Sequence, residues 1–445
     1  MKLLSEGEAR RLCDKVLSFS KADECTANLN GSRTGNIRYA RNSVSTAGLV
    51  EDTQLVVSVA FGRKQGVATT NELDDAALGR VVRQAEELAR LAPDNPEFMP
   101  AVGKQTYKRT PTFSQATSEV DADFRARVAA YSIEACRKQG LDAAGFFTDS
   151  TAYAAVANSR GVFGHQATTL MDFTCTVRTA DGRGSGWVKR SDFDAARFDA
   201  RTASDVAVEK VLRSVEAKAI EPGRYTVILE PAATSELLGF MLSGFDARQA
   251  DEGRSFLSKK GGGNRRGEKL FDEQVNIWAD PWNPDVGVLP WDGDTMLARE
   301  RADVIKTGRV AALDYSLYWT KKQNQRPTAR HCNIIMGGSD KTTAELIAGT
   351  KKGVLVTRTW YIRQVDPQSV LLTGLTRDGT FYIESGKILY PVKNFRFNES
   401  PVTMLNNIDA IGKPVVIAGD EVPYQMLIPP MKVRDFNFTS LSDAV

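Results

Sequence analysis

Histidine is the scarcest informative residue in this chain: its 445 residues include two, His165 and His331. Zinc sites are built from clustered His and Cys. Neither histidine has a second one at helical spacing, so no zincin-type motif can be written. Cys332 follows His331, but one adjacent pair with no further ligand nearby reads as structural. Cysteine is sparse as well. Cys13, Cys25, Cys136, Cys175 and Cys332 are odd in number, scattered and free of Cys-x-x-Cys spacing. That pattern excludes a disulfide framework and predicts reduced thiols in a cytoplasmic protein. No run approaches the ~18 apolar residues of a membrane span, and Met1-Lys2-Leu3-Leu4-Ser5-Glu6 turns polar before a signal-peptide core develops. The net charge of +3 makes no case for nucleic acid or an anionic membrane surface. Missing too are a Gly-x-Ser-x-Gly elbow, a phosphate loop and a dinucleotide fingerprint.

What is present describes a globular chain with a substantial core: 42% of residues are apolar and 25% charged. Ala9, Leu12, Val16 and Leu17 fall at helical spacing, predicting an opening helix over 5–19. Short alternating runs around Thr26–Leu29, Ile37–Tyr39, Val44–Val50 and Leu55–Ala60 predict an antiparallel meander. A periodic helix follows through Leu78–Ala89 and stops at Ala92-Pro93-Asp94-Asn95-Pro96. After a polar linker from Glu97 to about Thr117 the cycle repeats. A helix over Asp121–Lys138 leads to strands through Thr179, a flexible turn at Asp181–Gly186, and a helix over Asp205–Ala219. Helix–meander–helix thus occurs twice, without a visible residue-by-residue repeat. Beyond Glu221-Pro222-Gly223 come a strand at Tyr225–Leu229, a short helix at Ala232–Ser243, a basic glycine stretch at 259–267 and mostly strand-like pieces from Val310 onward. The expected fold class is α+β, with α+β units at 1–117 and 118–220 and a β-rich domain at 221–445.

Six residues of that short helix, Ser235-Glu236-Leu237-Leu238-Gly239-Phe240, resemble the His-Glu-x-x-x-His helix of the TldD/PmbA metalloprotease family. Ala410-Ile411-Gly412-Lys413 resembles the same family's Cys-Gly-Lys segment. Further resemblance is carried by Asn36–Asn42 with the following strand, by Arg326-Pro327-Thr328-Ala329-Arg330, and by Gly353–Arg358, Leu375–Gly379 and Phe395–Ser400. Aligned this way, Ser235 and Phe240 stand at the histidines and Ile411 at the cysteine, while Glu236 is kept. A catalytic zinc takes about three lone-pair donors at roughly 2.0–2.3 Å and an open position for water. Phenylalanine and isoleucine have no lone pair to offer, and a neutral serine hydroxyl is a poor substitute for imidazole. The expectation is that this chain holds no metal and no cofactor. The family's histidines, five residues apart, are rotated by about 140° on an ideal helix. An i→i+5 widening is therefore expected to persist near Gly239.

The resemblance implies a subunit of the metal-free TldE/PmbA-like type. Such a subunit pairs with a second copy or with a zinc-bearing TldD-like sibling to enclose a chamber where small or unfolded peptides are cleaved. Glu236 then keeps a hydrogen-bonding role in a cleft rather than an acid/base role, since no metal-bound water awaits it. Arg326, Thr328 and the loop 245–267 are candidates for the substrate-facing wall. Two rivals are a self-sufficient homodimeric peptidase with an unrecognised site and a regulatory protein of the DNA gyrase modulator type. Neither nucleic acid nor membrane is expected as a partner.

Overall fold

The computed structural model describes residues 3–419, 421–422 and 424–442. Helix α1 (Glu6–Phe19) opens with a capping box in which the Ser5 hydroxyl accepts from the Glu8 amide and Glu8 returns to the Ser5 amide. Strands β1 (Glu24–Ala40), β2 (Ser43–Phe61) and β3 (Lys64–Thr70) follow, then α2 (Asp75–Leu91). The one-turn helix α3 (Gln115–Ser118) leads into α4 (Ala122–Arg137). Next come β4 (Leu141–Asn158), β5 (Phe163–Thr179), β6 (Ser185–Asp192) and α5 (Ala200–Ser214). The two meanders join in one six-stranded antiparallel sheet of order β3-β2-β1-β4-β5-β6.

Odd-numbered residues of β1 face the helices along the whole strand. Cys25, Ala27 and Leu29 pack with α1 and α2, while Ile37 and Tyr39 pack with α4 and α5. One sheet face is thus shared between two helix pairs. At the seam, Gly31 leaves room for the Tyr153 ring and Gly35 for the Arg125 guanidinium.

Three expectations are corrected here. The short runs of the first meander are continuous strands of 17 and 19 residues. The polar interval Gly31–Gly35 looked like a break because its neighbours are a tyrosine and a buried ion pair rather than aliphatic side chains. The Asp205–Ala219 helix spans Ala200–Ser214, because the Asp199 carboxylate accepts from the Arg201 and Thr202 amides and starts it five residues earlier. The second meander also includes β6, where a flexible turn had been expected up to Gly186.

The C-terminal half begins with β7 (Gly223–Leu229). It lies in a nine-stranded sheet between Lys352–Val356, which runs parallel to it, and Met431–Leu441, which runs antiparallel. A second, six-stranded mixed sheet is centred on Ile334–Met336. Helix α6 (Pro231–Leu242) packs against strands of both sheets. Nine of its twelve residues are buried, as expected of a helix apolar on every side. The whole is an α+β fold with a β-rich C-terminal half. Among the described residues no helix is long and apolar enough to cross a membrane.

Candidate functional site

β7 ends at Leu229, and Glu230 caps α6 as the chain turns directly into it. The Glu230 amide donates to Val356 O at 3.0 Å, its carboxylate pairs with Lys210 at 2.7 Å, and Pro231 occupies the first helical position. The helix stays α-helical from Pro231 to Leu242 and tightens to a 3₁₀ turn at Ser243–Phe245. The widening expected near Gly239 is absent. With no pair of imidazoles to bring onto one side, ordinary i→i+4 bonding satisfies the backbone.

The window residues occupy separate environments. Ser235 is fully buried and its hydroxyl donates to Ala232 O at 3.1 Å, inside its own helix. Phe240 is half-buried against the core. Ile411, at the end of strand Ile408–Ile411, belongs to that same core. Met431 pairs with Leu229 on one side and with Ile411 on the other. Two strand spacings, about 10 Å, therefore separate Ile411 from the residue that leads into α6.

Glu236 is 4% exposed, and its Oε1 accepts from the Glu421 amide at 3.1 Å. A Cβ on Gly419 would lie 2.7 Å from the Glu236 Cδ, so glycine is what lets the backbone pass over this carboxylate. Lys189, from β6, donates to Gly419 O at 2.7 Å. The Glu421 carboxylate accepts from the Ile362 amide at 2.8 Å and pairs with Arg363 at 2.9 Å. Val422 seats on Gly239, where a Cβ would come 2.7 Å from Val422 Cγ1. Glu236 and Gly239 thus hold Gly419, Glu421 and Val422 against α6.

Beyond the C-terminal end of α6 lies a cleft of about 660 Å³, lined among others by Ser243, Asp246, Asp314, Thr328, His331 and Tyr424. His331 Nδ1 lies 2.6 Å from Asp314 Oδ1, an ion pair when the imidazole is protonated. The same oxygen accepts the His331 amide at 2.9 Å. Burial pushes the Cys332 thiol up, which keeps it protonated near neutrality and unsuited to nucleophilic attack. Thr328 lines this cleft and its hydroxyl accepts from the Tyr315 amide at 3.3 Å. Arg326 does not line it. Its side chain is 80% exposed and pairs with Glu300 at 3.1 Å. In the loop 245–267, Phe245 and Asp246 reach the cleft, while Lys259 and Arg265 of the basic glycine stretch pair with Glu268. Sequence reasoning missed Asp314 and Tyr424 as cleft residues. The available signal was His331, directly following Arg326–Arg330.

Three domain models of one family match this chain. They are PmbA/TldA metallopeptidase domain 1 over 27–89, the central domain over 117–216 and the C-terminal domain over 222–440. The chain belongs to the PmbA/TldD family. A curated relative, a metalloprotease of Methanothermobacter thermautotrophicus, is 24% identical over 292 residues. That match covers 60% of this chain and 61% of the relative, less than two thirds of the relative's length. Among solved structures, TldE from Thermococcus kodakarensis superposes with a TM-score of 0.86 at 16% identity, covering 97% of this chain and 99% of that one. A proposed modulator of a DNA gyrase from Thermotoga maritima gives 0.85 at 16% identity, covering 97% and 100%. These structural likenesses establish the fold.

The family's description implies a metal ion, and the donors here do not fit one. Ser235 is spent within its helix, Phe240 and Ile411 have no lone pair, and the Glu236 carboxylate binds a backbone amide. Among the described residues no group of three or more His, Cys, Asp or Glu is arranged to hold a metal.

Proposed function

We propose that this chain is a metal-free, TldE/PmbA-like subunit of a peptidase assembly that acts on small or unfolded peptides, with hydrolysis supplied by a zinc-bearing TldD-like sibling. The observation that carries this reading is the fate of Glu236. Three of the four positions that align with the family's metal helix and cysteine segment lack a suitable donor, and the glutamate that remains positions a turn instead of a water. Membership of the PmbA/TldD family and the chemistry of the cleft lend it support. The cleft combines acidic groups, a His–Asp pair and tyrosines around a cavity of about 660 Å³, a size suited to part of an extended peptide. Its role for this chain is to bind and enclose the peptide rather than to cut it.

Purified alone, the chain is expected to carry zinc far below one ion per polypeptide and to leave unstructured peptides uncut. Purified from its native host, it is expected to bring down a sibling whose zinc content tracks peptide hydrolysis. Stoichiometric zinc on the isolated chain would end this reading. Glu236→Ala separates a structural from a chemical role. Losing the acceptor for the Glu421 amide should cost about 1–3 kcal/mol, read in urea unfolding. An acid/base role would instead lower the assembly's kcat without moving the unfolding midpoint.

A second expected result concerns the cleft. His331→Ala leaves the Asp314 carboxylate without its imidazole neighbour at 2.6 Å, so binding of a fluorescent peptide should weaken. Unchanged binding would place the peptide elsewhere.

A further inference from the structure

The cleft beyond α6 carries more negative charge on its walls than its own side chains balance. Asp246, Asp292, Asp294 and Asp314 all line it, against one guanidinium, that of Arg330. Asp292 is accounted for. It accepts from the Thr295 hydroxyl at 2.8 Å and the Arg330 amide at 3.1 Å, and the Arg299 guanidinium lies 3.6 Å away. With Arg299 set against Asp292 and Arg330 against one further carboxylate, two negative charges remain. A protonated His331 would offset only one of them. Asp246 Oδ1 accepts from the Gln249 amide at 2.7 Å and Asp314 Oδ1 from the His331 amide at 2.9 Å, and neither second oxygen has a partner among the described residues. Asp294 is exposed, and among the described residues nothing bonds its carboxylate.

His331 points to an occupant independently of the carboxylates. Its side chain is 8% exposed, yet it lines the cleft, and its Nδ1 is buried without a hydrogen bond. Asp314 Oδ1 lies 2.6 Å from that nitrogen but bonds the backbone amide of the same residue instead. A carboxylate oxygen and a ring nitrogen held so close with no hydrogen bond between them are relieved by positive charge arriving beside them. The rest of the wall suits a charge carried on an apolar stem. Phe245 and Tyr315 are buried there and Tyr424 is half-exposed, and tyrosine faces attract cations while packing on their stems. A metal ion is the wrong occupant, since among the described residues no three His, Cys, Asp or Glu converge to hold one.

From this we infer that the cleft selects peptides by a positively charged group, either a lysine or arginine side chain or the α-amino terminus, and that Asp294 and Asp314 confer the preference. The inference rests on the reading of this cleft as the peptide site and adds the chemical class of peptide it takes.

The test is calorimetric titration of the full-length protein with capped peptides of one unstructured sequence, bearing lysine, norleucine or glutamate at the central position. A fourth peptide has norleucine and a free α-amino group. At low salt the lysine peptide should bind on the order of tenfold tighter than capped norleucine, with glutamate weakest, and added salt should narrow the gap. A gap for the lysine or for the free-amine peptide supports the inference and identifies the source of the charge. Asp294→Asn, and separately Asp314→Asn, should close most of that gap with little change in the thermal melt. Glu87→Gln, on the exposed side of α2, should leave it open. No gap for either cationic peptide overturns the inference, as does a gap that both aspartate variants leave intact or that Glu87→Gln closes equally well. In each of those cases peptides still bind and the peptidase-subunit reading stands. Failure of every peptide to bind overturns the inference together with the reading of the cleft.

Discussion

Gly66→Ala and Gly186→Ala should each destabilise the N-terminal sheet by about 3 kcal/mol or more, the upper end of what overpacking costs. Gly66 lies on β3 beneath α2, and a methyl there would overlap Ala85 O and Ala89 N. Gly186 lies on β6 beneath α5, where a methyl would overlap Ala207 O and come within 2.6 Å of Val211 N. In both places the obstacle is helix backbone rather than a side chain that can rotate away, so relief requires the helix to lift off the sheet. Lifting α2 would loosen Leu78, Val82 and Ala85, which pack on Ala27 and Leu29. Gly103, where an added methyl would meet nothing within 4 Å, is the control, and Gly103→Ala should be near neutral. Urea unfolding followed by far-UV circular dichroism measures all three. A Gly66→Ala protein as stable as the control would mean that α2 has room to ride up from β3 at no cost.

The matched glycines also show what the sequence conceals. Helix–meander–helix was legible twice, because apolar spacing in α1, α2 and α4 is set by burial against a sheet, and burial writes itself into periodicity. The repeat itself was not legible at residue level. What the two halves share is a small residue where β3 or β6 meets its helix, with alanines on the facing helix, and such positions carry no hydrophobic signal. The full length of β1 was hidden for a related reason. Gly31 and Gly35 face a ring and a guanidinium, so the alternation lapses while the strand continues. At the candidate site, the lack of lone pairs at Phe240 and Ile411 was legible because it depends on side-chain chemistry alone. The regular α6 was not, because the expected widening came from the resemblance and not from the helix's own residues; nor were the contacts of Glu236 and Gly239 with Glu421 and Val422 or the Asp314–His331 pair, since each joins separate segments of the chain. Asp314 and His331 are brought together by the loops flanking the six-stranded mixed sheet, and nothing local in either segment announces the other.

Asp149→Ala should cost about 3–5 kcal/mol, the penalty for leaving one partner of a buried ion pair alone. Arg125, from α4, and Asp149, from β4, meet at 2.7 Å, with their side chains 8% and 3% exposed. Burial pushes the Asp149 carboxyl up, and the Arg125 hydrogen bond and charge pull it back. Gly35 on the neighbouring β1 makes room for the guanidinium, since a Cβ there would overlap Arg125 Nη1. The pair lies at the seam between the two helix pairs, where the sheet face is covered by neither α2 nor α5 but still excludes water. Removing the carboxylate strands a cation that cannot lose its proton. The loss should therefore persist across neutral pH and not be rescued by acid. Replacing both partners, with Arg125→Met and Asp149→Leu, removes the charge along with its counter-charge and should recover most of the stability. Single and double variants in a urea-unfolding cycle read the coupling directly. If the double variant is no more stable than Asp149→Ala, the seam depends on the fork geometry of the arginine rather than on charge balance.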